Sequence, residues 1–216
     1  MKVLVLFSGG KDSTYAAWLY LSWGWEVELL TIKPEENSMM FHHPNTKWCP
    51  LQAKAMGVPH HFVKRKSDDE LKDLQDAIMG LKRKHGIQGI VTGAIASEYQ
   101  RQRIEIIGEN VSLPTFNPLW HKDVQVLREM ASAMEIRVVS VSAEGLGKEW
   151  LWRKIDNVAI AELEAKRPKL NVFFEGGEAE TFVSGAIFFK KKIKIKKIRK
   201  KFGGTSGTAE IIRSSL

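Results

Sequence analysis

Apolar and polar positions along this chain fall into two patterns: short unbroken apolar runs, and longer stretches with apolar residues three and four apart. Residues 2–7, Lys-Val-Leu-Val-Leu-Phe, form the first unbroken run and predict a strand buried on both faces. Residues 13–23 follow at helical spacing, and residues 26–32 predict a second strand entered through Trp23-Gly24-Trp25 and closed by Pro34. Strand, helix and strand within so short a span make a βαβ unit of a parallel sheet. Residues 35–50 are polar and irregular. A helix is then predicted over 51–56, stopped by Gly57, and a short strand over 59–63. The next helix runs from Ser67, read as its cap, to about Lys84, with Gly86 ending it and a buried strand over 89–94 following. Farther on, the pattern predicts an extended entry over 114–120, a helix over 124–134, a strand over 137–142 and a helix over 150–167 closed by Pro168. No internal repeat or long linker interrupts this order. The elements describe an α/β protein, with a soft boundary that separates a domain over 1–122 from a smaller α/β domain over 123–216.

Composition narrows the class. A chain of 216 residues buries enough surface to fold without disulfide staples, and its single cysteine, Cys49, excludes a disulfide framework and any Cys-x-x-Cys zinc site. The absence of a bilayer-length apolar run or a signal-peptide pattern makes a cytoplasmic protein the simplest expectation. The formal charge of +8 changes less than it promises, because residues 190–201 hold nine Lys or Arg and no acid, and the chain without them carries −1. Within that stretch Ile193, Ile195 and Ile198 partly alternate with lysines, as in an edge strand whose charges discourage aggregation. Any nucleic-acid contact is confined to this stretch. His42, His43, His60 and His61 come in adjacent pairs that point to opposite faces of a strand, without a Cys or carboxylate at ligand spacing, so no protein-bound metal is expected.

The candidate chemistry begins at Ser8-Gly9-Gly10-Lys11-Asp12-Ser13, at the turn between the first strand and the first helix. Two glycines let the backbone approach an anion, and the new helix presents free amides and a partial positive charge to it. Ser8 and Ser13 add hydroxyl donors, Lys11 a mobile cation, and Asp12 a carboxylate for a metal or a helix cap. A Walker loop has a four-residue spacer and a Gly-Lys-Ser order that this stretch lacks. Polar groups crowd a second strand end at Gly93-Ala94-Ile95-Ala96-Ser97-Glu98-Tyr99-Gln100-Arg101-Gln102-Arg103-Ile104-Glu105, where Arg101 and Glu105 can also form a solvated i,i+4 pair. A third cluster, Glu175-Gly176-Gly177-Glu178-Ala179-Glu180-Thr181-Phe182, carries three carboxylates; if extended, it places Glu178 and Glu180 on one face, and otherwise it is an acidic surface turn.

These strings, together with Pro118-Leu119-Trp120 and Trp150-Leu151-Trp152-Arg153-Lys154-Ile155-Asp156, resemble the diphthine–ammonia ligase (diphthamide synthase) family of the PP-loop ATP pyrophosphatase superfamily. The resemblance extends to about Phe189 and implies a parallel-sheet, nucleotide α-hydrolase-like PP-loop domain with a smaller carboxyl-terminal α/β domain. It implies ATP-dependent amidation of diphthine on elongation factor 2 through an acyl-adenylate, with ammonium as nitrogen donor, AMP and pyrophosphate as products, and Mg2+ as part of the ATP complex. It places Ser8, Gly9, Gly10, Lys11, Asp12, Ser13, Gly93 and Ser97 on the nucleotide. Tyr99, Gln100, Arg101, Arg103, Glu105, Trp120, Glu175, Gly176, Gly177 and Thr181 fall on the substrate side. Lys11, Asp12, Glu178 and Glu180 take the catalytic roles, the last two receiving ammonium and acting as its base. Tyr99, Trp120 and Phe182 are aromatic candidates for the quaternary ammonium of diphthine. The chain departs from the family at Trp152 and Phe174, which occupy glycine positions, and at Ala179, which replaces an aromatic residue. A tRNA-modifying PP-loop enzyme and a non-enzymatic nucleotide sensor stand as rival readings, and a homo-oligomer is left open.

Overall fold

Leu4 and its neighbours Val3 and Val5 are fully buried, and the strand they form is the middle of a five-stranded parallel sheet. A computed structural model describes residues 1–33, 45–64, 67, 69–166 and 170–216. In chain order the elements are β1 (Lys2–Leu6), α1 (Lys11–Ser22), β2 (Glu26–Lys33), α2 (Cys49–Met56), β3 (His60–Lys64), α3 (Glu70–His85), β4 (Gly89–Val91), α4 (Glu98–Asn110), β5 (Thr115–Phe116), α5 (Val124–Ala133), β6 (Met134–Val141), α6 (Asn157–Ala165), β7 (Ala179–Ala186), β8 (Lys194–Gly203) and β9 (Ser206–Ser215). The expectations for Pro34, for residues 35–44 of the polar stretch, with His42 and His43, and for closure at Pro168 lie outside the described residues; of that stretch, residues 45–50 are described, and α2 starts at Cys49 rather than at Leu51.

The described residues divide between two units. The first comprises those within Met1–Ser8, Asp12–His42 and Val58–Trp120, and the second those within Gly9–Lys11, His43–Gly57 and His121–Leu216. In the first unit the strands run in the order β3-β2-β1-β4-β5, every neighbouring pair parallel. Leu4, Leu30, Ile32 and Ile90 form one face of this sheet's core with Leu74 and Ile78 of α3 and Ile104 and Ile107 of α4. The direction of strand addition reverses between β1 and β4, so the chain leaves these two adjacent strands in opposite directions and opens a crevice at their carboxyl ends. Residues following β1 and β4 therefore line the place where such sheets bind ligands.

The second unit is built on an antiparallel sheet in the order β7-β6-β9-β8. Its core gathers Ala55, Val139, Phe182, Ile193 and Ile211, with Trp48, Trp152, Ile195 and Ile198 packed against them. The basic stretch supplies β8, an edge strand as its alternation predicts, and Gly204 at φ +62° turns it into β9.

Two local expectations are corrected. Asp69, not Ser67, caps α3 by accepting from the amides of Leu71 and Lys72 at 3.0 Å, while Ser67 binds Asp73 through its amide and hydroxyl. Residues 150–167 are not one helix. Trp152 donates its amide to Val138 at 2.7 Å and Ile155 donates to Ile136 at 3.0 Å, which lays this segment along β6. Helix α6 starts only after Asp156, whose carboxylate accepts from Ala159 at 3.0 Å.

His60 reports on the packing of the parallel sheet. The Thr31 hydroxyl donates its single hydrogen to the Phe7 carbonyl at 2.7 Å, so its oxygen accepts from Nε2–H of His60 at 2.9 Å, which puts the proton of the neutral ring on Nε2. Burial, reinforced by the neighbouring charge of His61, lowers the His60 pKa from 6.5 to about 4. Between these values the unfolded chain binds the extra proton, so the His60 contribution is complete above the unfolded pKa and is lost as pH falls through the window. Thermal unfolding across this range should show a steeper loss of stability for the native protein than for His60→Gln; identical slopes would remove His60 from the account.

Candidate active site

Beyond β1 the ladder continues for one more residue, with the Phe7 amide donating to Leu30 at 2.8 Å, and then the chain enters the glycine turn. Ser8 and Ser13 close the turn on themselves: the Ser8 amide donates to the Ser13 hydroxyl at 3.2 Å, and the two hydroxyls lie 3.1 Å apart. Gly9 takes φ +80°, and a Cβ there would lie 2.2 Å from Oε1 of Gln52, so both its conformation and its surroundings demand glycine. In the same unit the Gly9 carbonyl accepts from Nε2 of Gln52 at 2.8 Å and from the Val183 amide at 3.2 Å. Nε2 also donates to the Val183 carbonyl at 2.9 Å, and because both partners are carbonyls the amide orientation is unambiguous. Gln52 is fully buried. Its side chain locks the turn against β7.

Lys11 belongs to the same anchorage. Its amide donates to the Thr181 hydroxyl at 3.1 Å, and Nζ donates to the Phe173 carbonyl at 2.7 Å. The ammonium also lies 5.5 Å from the centroid of the Phe174 ring. Only 2% of this lysine is exposed. Asp12 and Ser13, which follow it, pack against the exit of β4: a Cβ on Gly93 would lie 2.7 Å from the Asp12 carbonyl carbon and the Ser13 nitrogen. Gly93 therefore allows two backbones to meet at the crevice, and helix α1 directs its amino end there.

Ser97, read as a nucleotide-side residue, caps α4 by accepting from the Gln100 amide at 3.4 Å. Arg101 is held by both acids within reach on that helix, Glu98 at 2.8 Å and Glu105 at 2.6 Å, with its guanidinium carbon 5.0 Å from the Trp120 ring centroid. Hydrogen bonding to Glu98, reinforced by the charge of Glu105, raises the Arg101 pKa above its ordinary value. Arg103 lies over Tyr99 at 3.2 Å and donates to the Tyr99 carbonyl at 3.3 Å. Tyr99 and Gln100 remain exposed. The two arginines thus occupy the faces of the two aromatics that were read as candidates for a quaternary ammonium.

The acidic cluster is a turn followed by a strand. Glu178 precedes β7, so the alternation expected of Glu178 and Glu180 does not apply. Glu178 Oε1 accepts from the Asn171 amide at 3.1 Å and Oε2 from the Gly176 amide at 2.9 Å, bracing the turn that contains Glu175, Gly176 and Gly177. Ser142 donates its hydroxyl to the Gly177 carbonyl. Glu180 is half-buried on β7, beside the buried Thr181 that holds the Lys11 amide. Phe182 is 1% exposed within the core of its unit and is removed from the set of aromatic ligand contacts. Trp152 and Phe174, the two glycine positions of the resembling family, adopt φ +68° and +66°.

Sequence reasoning missed Gln52 and the Phe173 carbonyl. Gln52 carries a usable signal, an uncharged polar residue between Leu51 and Ala53 in a short helix whose only other polar side chain is Lys54, but its partners are 43 and 131 residues distant. A carbonyl acceptor has no sequence signal at all. The metal expectation also loses its premise, since Glu28 Oε2 lies 2.6 Å from Nε2 of His61.

Comparison with known proteins gives the chain its family. Residues 1–115 match the family described as the diphthamide synthase N-terminal domain, and residues 122–216 match the diphthamide synthase C-terminal domain. The chain is 32% identical to proteins named diphthine–ammonia ligase from Rattus norvegicus and Homo sapiens, in each case over 89% of this chain and 82% of the relative. A solved structure described as a predicted subunit of tRNA methyltransferase from Methanocaldococcus jannaschii aligns with a TM-score of 0.45 at 20% identity, covering 89% of this chain and 99% of that one.

Replacing Gln52 by Leu keeps its approximate volume and removes the donor shared by two buried carbonyls. Denaturant unfolding should show a loss of about 1–3 kcal/mol. An unchanged midpoint and slope would mean that Gln52 does not anchor the turn.

Proposed function

The chain belongs to the diphthamide synthase family, and we propose that it acts as a diphthine–ammonia ligase through the glycine turn, the first turns of α4 and the start of β7. The observation that carries this reading is the joint match of both family domains, with the glycine turn at the point where strand order reverses. The reaction joins ammonium to the diphthine carboxylate of elongation factor 2 and converts ATP to AMP and pyrophosphate. A carboxylate resists amidation because oxide is a poor leaving group. Attack of a carboxylate oxygen on the α-phosphorus breaks the bond to the bridging oxygen, releases pyrophosphate and gives an acyl-adenylate. Ammonia then adds to the acyl carbon, AMP leaves with the bonding pair, and the nitrogen gives up a proton.

In this reading Ser8, Gly9, Gly10 and Ser13 receive the β,γ-pyrophosphate at the amino end of α1, and Lys11 stabilises the charge that develops as it departs. Gly93 and Ser97 border the nucleotide. Asp12 is the acidic residue in the first turn of α1. One carboxylate beside phosphate suits Mg2+ carried on ATP with waters, rather than a protein cage; bound there, the ion neutralises phosphate charge. Arg101 and Arg103, stiffened by Glu98, Glu105, Tyr99 and Trp120, present guanidinium groups to the diphthine carboxylate, with Gln100 beside them. Glu180 accepts the proton that frees ammonia as a nucleophile, while Glu178 contributes by holding the turn of Glu175, Gly176 and Gly177. Thr181 positions Lys11 through its backbone amide.

A thiol-dependent tRNA-modifying reaction is disfavoured by chemistry, since the only cysteine is fully buried. Among the described residues no helix is long and apolar enough to cross a membrane.

Pyrophosphate release beyond one equivalent per enzyme should require ATP, ammonium and diphthine-bearing elongation factor 2 together. Lys11→Met retains much of the buried stem but loses the charge, and should lower turnover by about 100-fold or more with the circular dichroism unchanged. Near-native turnover, or pyrophosphate release independent of the protein substrate, would refute the assignment.

A further inference from the structure

The face of the parallel sheet covered by α3 holds, toward its β3 edge, a group of side chains that the ligase reaction does not use. Glu28 lies near the start of β2, His61 is the second residue of β3, and His85 is the last residue of α3. Strand pairing sets Leu30 opposite His61, which brings His61 diagonally beside Glu28 on the face covered by α3. Adjacent His60 turns to the other face toward Thr31, as strand alternation requires. Glu28 Oε2 lies 2.6 Å from Nε2 of His61 and 3.2 Å from Nδ1 of His85, and the three atoms fall within 4.8 Å of one another. The imidazoles meet edge to face, with centroids 4.7 Å apart.

We propose that Glu28, His61 and His85 form a binding site for a borderline divalent cation of the zinc class, tying β2 and β3 to the end of α3. Two imidazole nitrogens and one carboxylate oxygen suit such an ion better than magnesium or calcium, which favour oxygen donors. Zinc bonds of about 2.0–2.2 Å place tetrahedral ligands roughly 3.3 Å apart, so side-chain movements of about 1 Å or less convert the present spacing to a coordination shell. Those movements occur on rigid supports: two hydrogen-bonded strands and a helix end fixed by the Gly86 amide on the Lys82 carbonyl. The Glu28 side chain is 7% exposed, whereas those of His61 and His85 are 20% and 27% exposed, so the carboxylate is preorganised inside and a fourth position faces water. Lys2 opposes the ion from 3.7 Å on the second carboxylate oxygen, but it also pairs with Glu26 at 3.3 Å and keeps that partner when a cation occupies the other side. His61 sits on the edge strand β3, two strands from β1, and none of the three residues belongs to the segments that follow β1 and β4.

The full-length protein, stripped with a chelator and titrated with zinc against a chromogenic competitor, should bind one equivalent and unfold at a higher temperature. His61→Gln and His85→Gln should each weaken that equivalent by about 10- to 100-fold or more and remove the thermal shift, while pyrophosphate release stays at the native rate. Cobalt in place of zinc should give the visible bands of a four-coordinate site in the native protein and lose them in both variants. His85 lies half-exposed at a helix end, so His85→Gln decides the matter if His61→Gln fails to fold. Absence of a zinc equivalent, or an equivalent that survives both substitutions, would overturn the proposal.

Discussion

The structure depends on how three residues, Gly9, Gly10 and Lys11, are held. A turn that is to receive phosphate, as proposed for this one, has to keep its backbone open toward an anion, and an open turn has few internal contacts to stabilise it. Here the restraint comes from outside the turn: Gln52 and the Val183 amide fix the Gly9 carbonyl, and Thr181 fixes the Lys11 amide. Each of these groups is buried, so each hydrogen bond is made where its loss leaves a desolvated partner. The turn is preorganised by residues far away in sequence. This arrangement places Thr181 in the acidic cluster under constraint together with Lys11, which links two of the chain's most distinctive strings by a single hydrogen bond.

The two glycine positions filled by aromatics show what that preorganisation tolerates. A left-handed conformation costs an L-residue about 1–2 kcal/mol. Burial of a large aromatic contributes about 1.5–3 kcal/mol, enough to offset it. Phe174 is 7% exposed with its ring beside the Lys11 ammonium, and Trp152 packs on the core of its unit. Side-chain packing thus holds a left-handed backbone at two positions that carry no glycine.

The parallel sheet was legible because Val3, Leu4 and Val5 form a run with no polar interruption, and because Gly57 and Gly86 stop their helices in left-handed conformations. The glycine turn was legible for the same local reasons. What escaped was non-local. The run over 150–167 keeps apolar spacing throughout, yet hydrogen bonds from Trp152 and Ile155 to β6 outweigh its helical preference before Asp156. Strand β9 carries short polar residues whose only clear apolar anchors are Ala209 and Ile211, too few to read without the partner strands. In the site, Arg101 and Glu105 were legible as a pair from their spacing, whereas the stacking of Arg101 on Trp120 depends on a turn nineteen residues later. Glu178, read from the sequence as a partner for ammonium, has both carboxylate oxygens on backbone amides, partners that carry no sequence signal.

The lone thiol lies directly behind the glycine turn. Cys49 is fully buried, and its sulfur lies 3.2 Å from where a side chain on Gly9 would begin. A thiol in that position is shielded from water and from reagents for as long as the turn stays seated. Its labelling rate is therefore a stopwatch for lifting of the turn, readable in the native sequence without an introduced dye site.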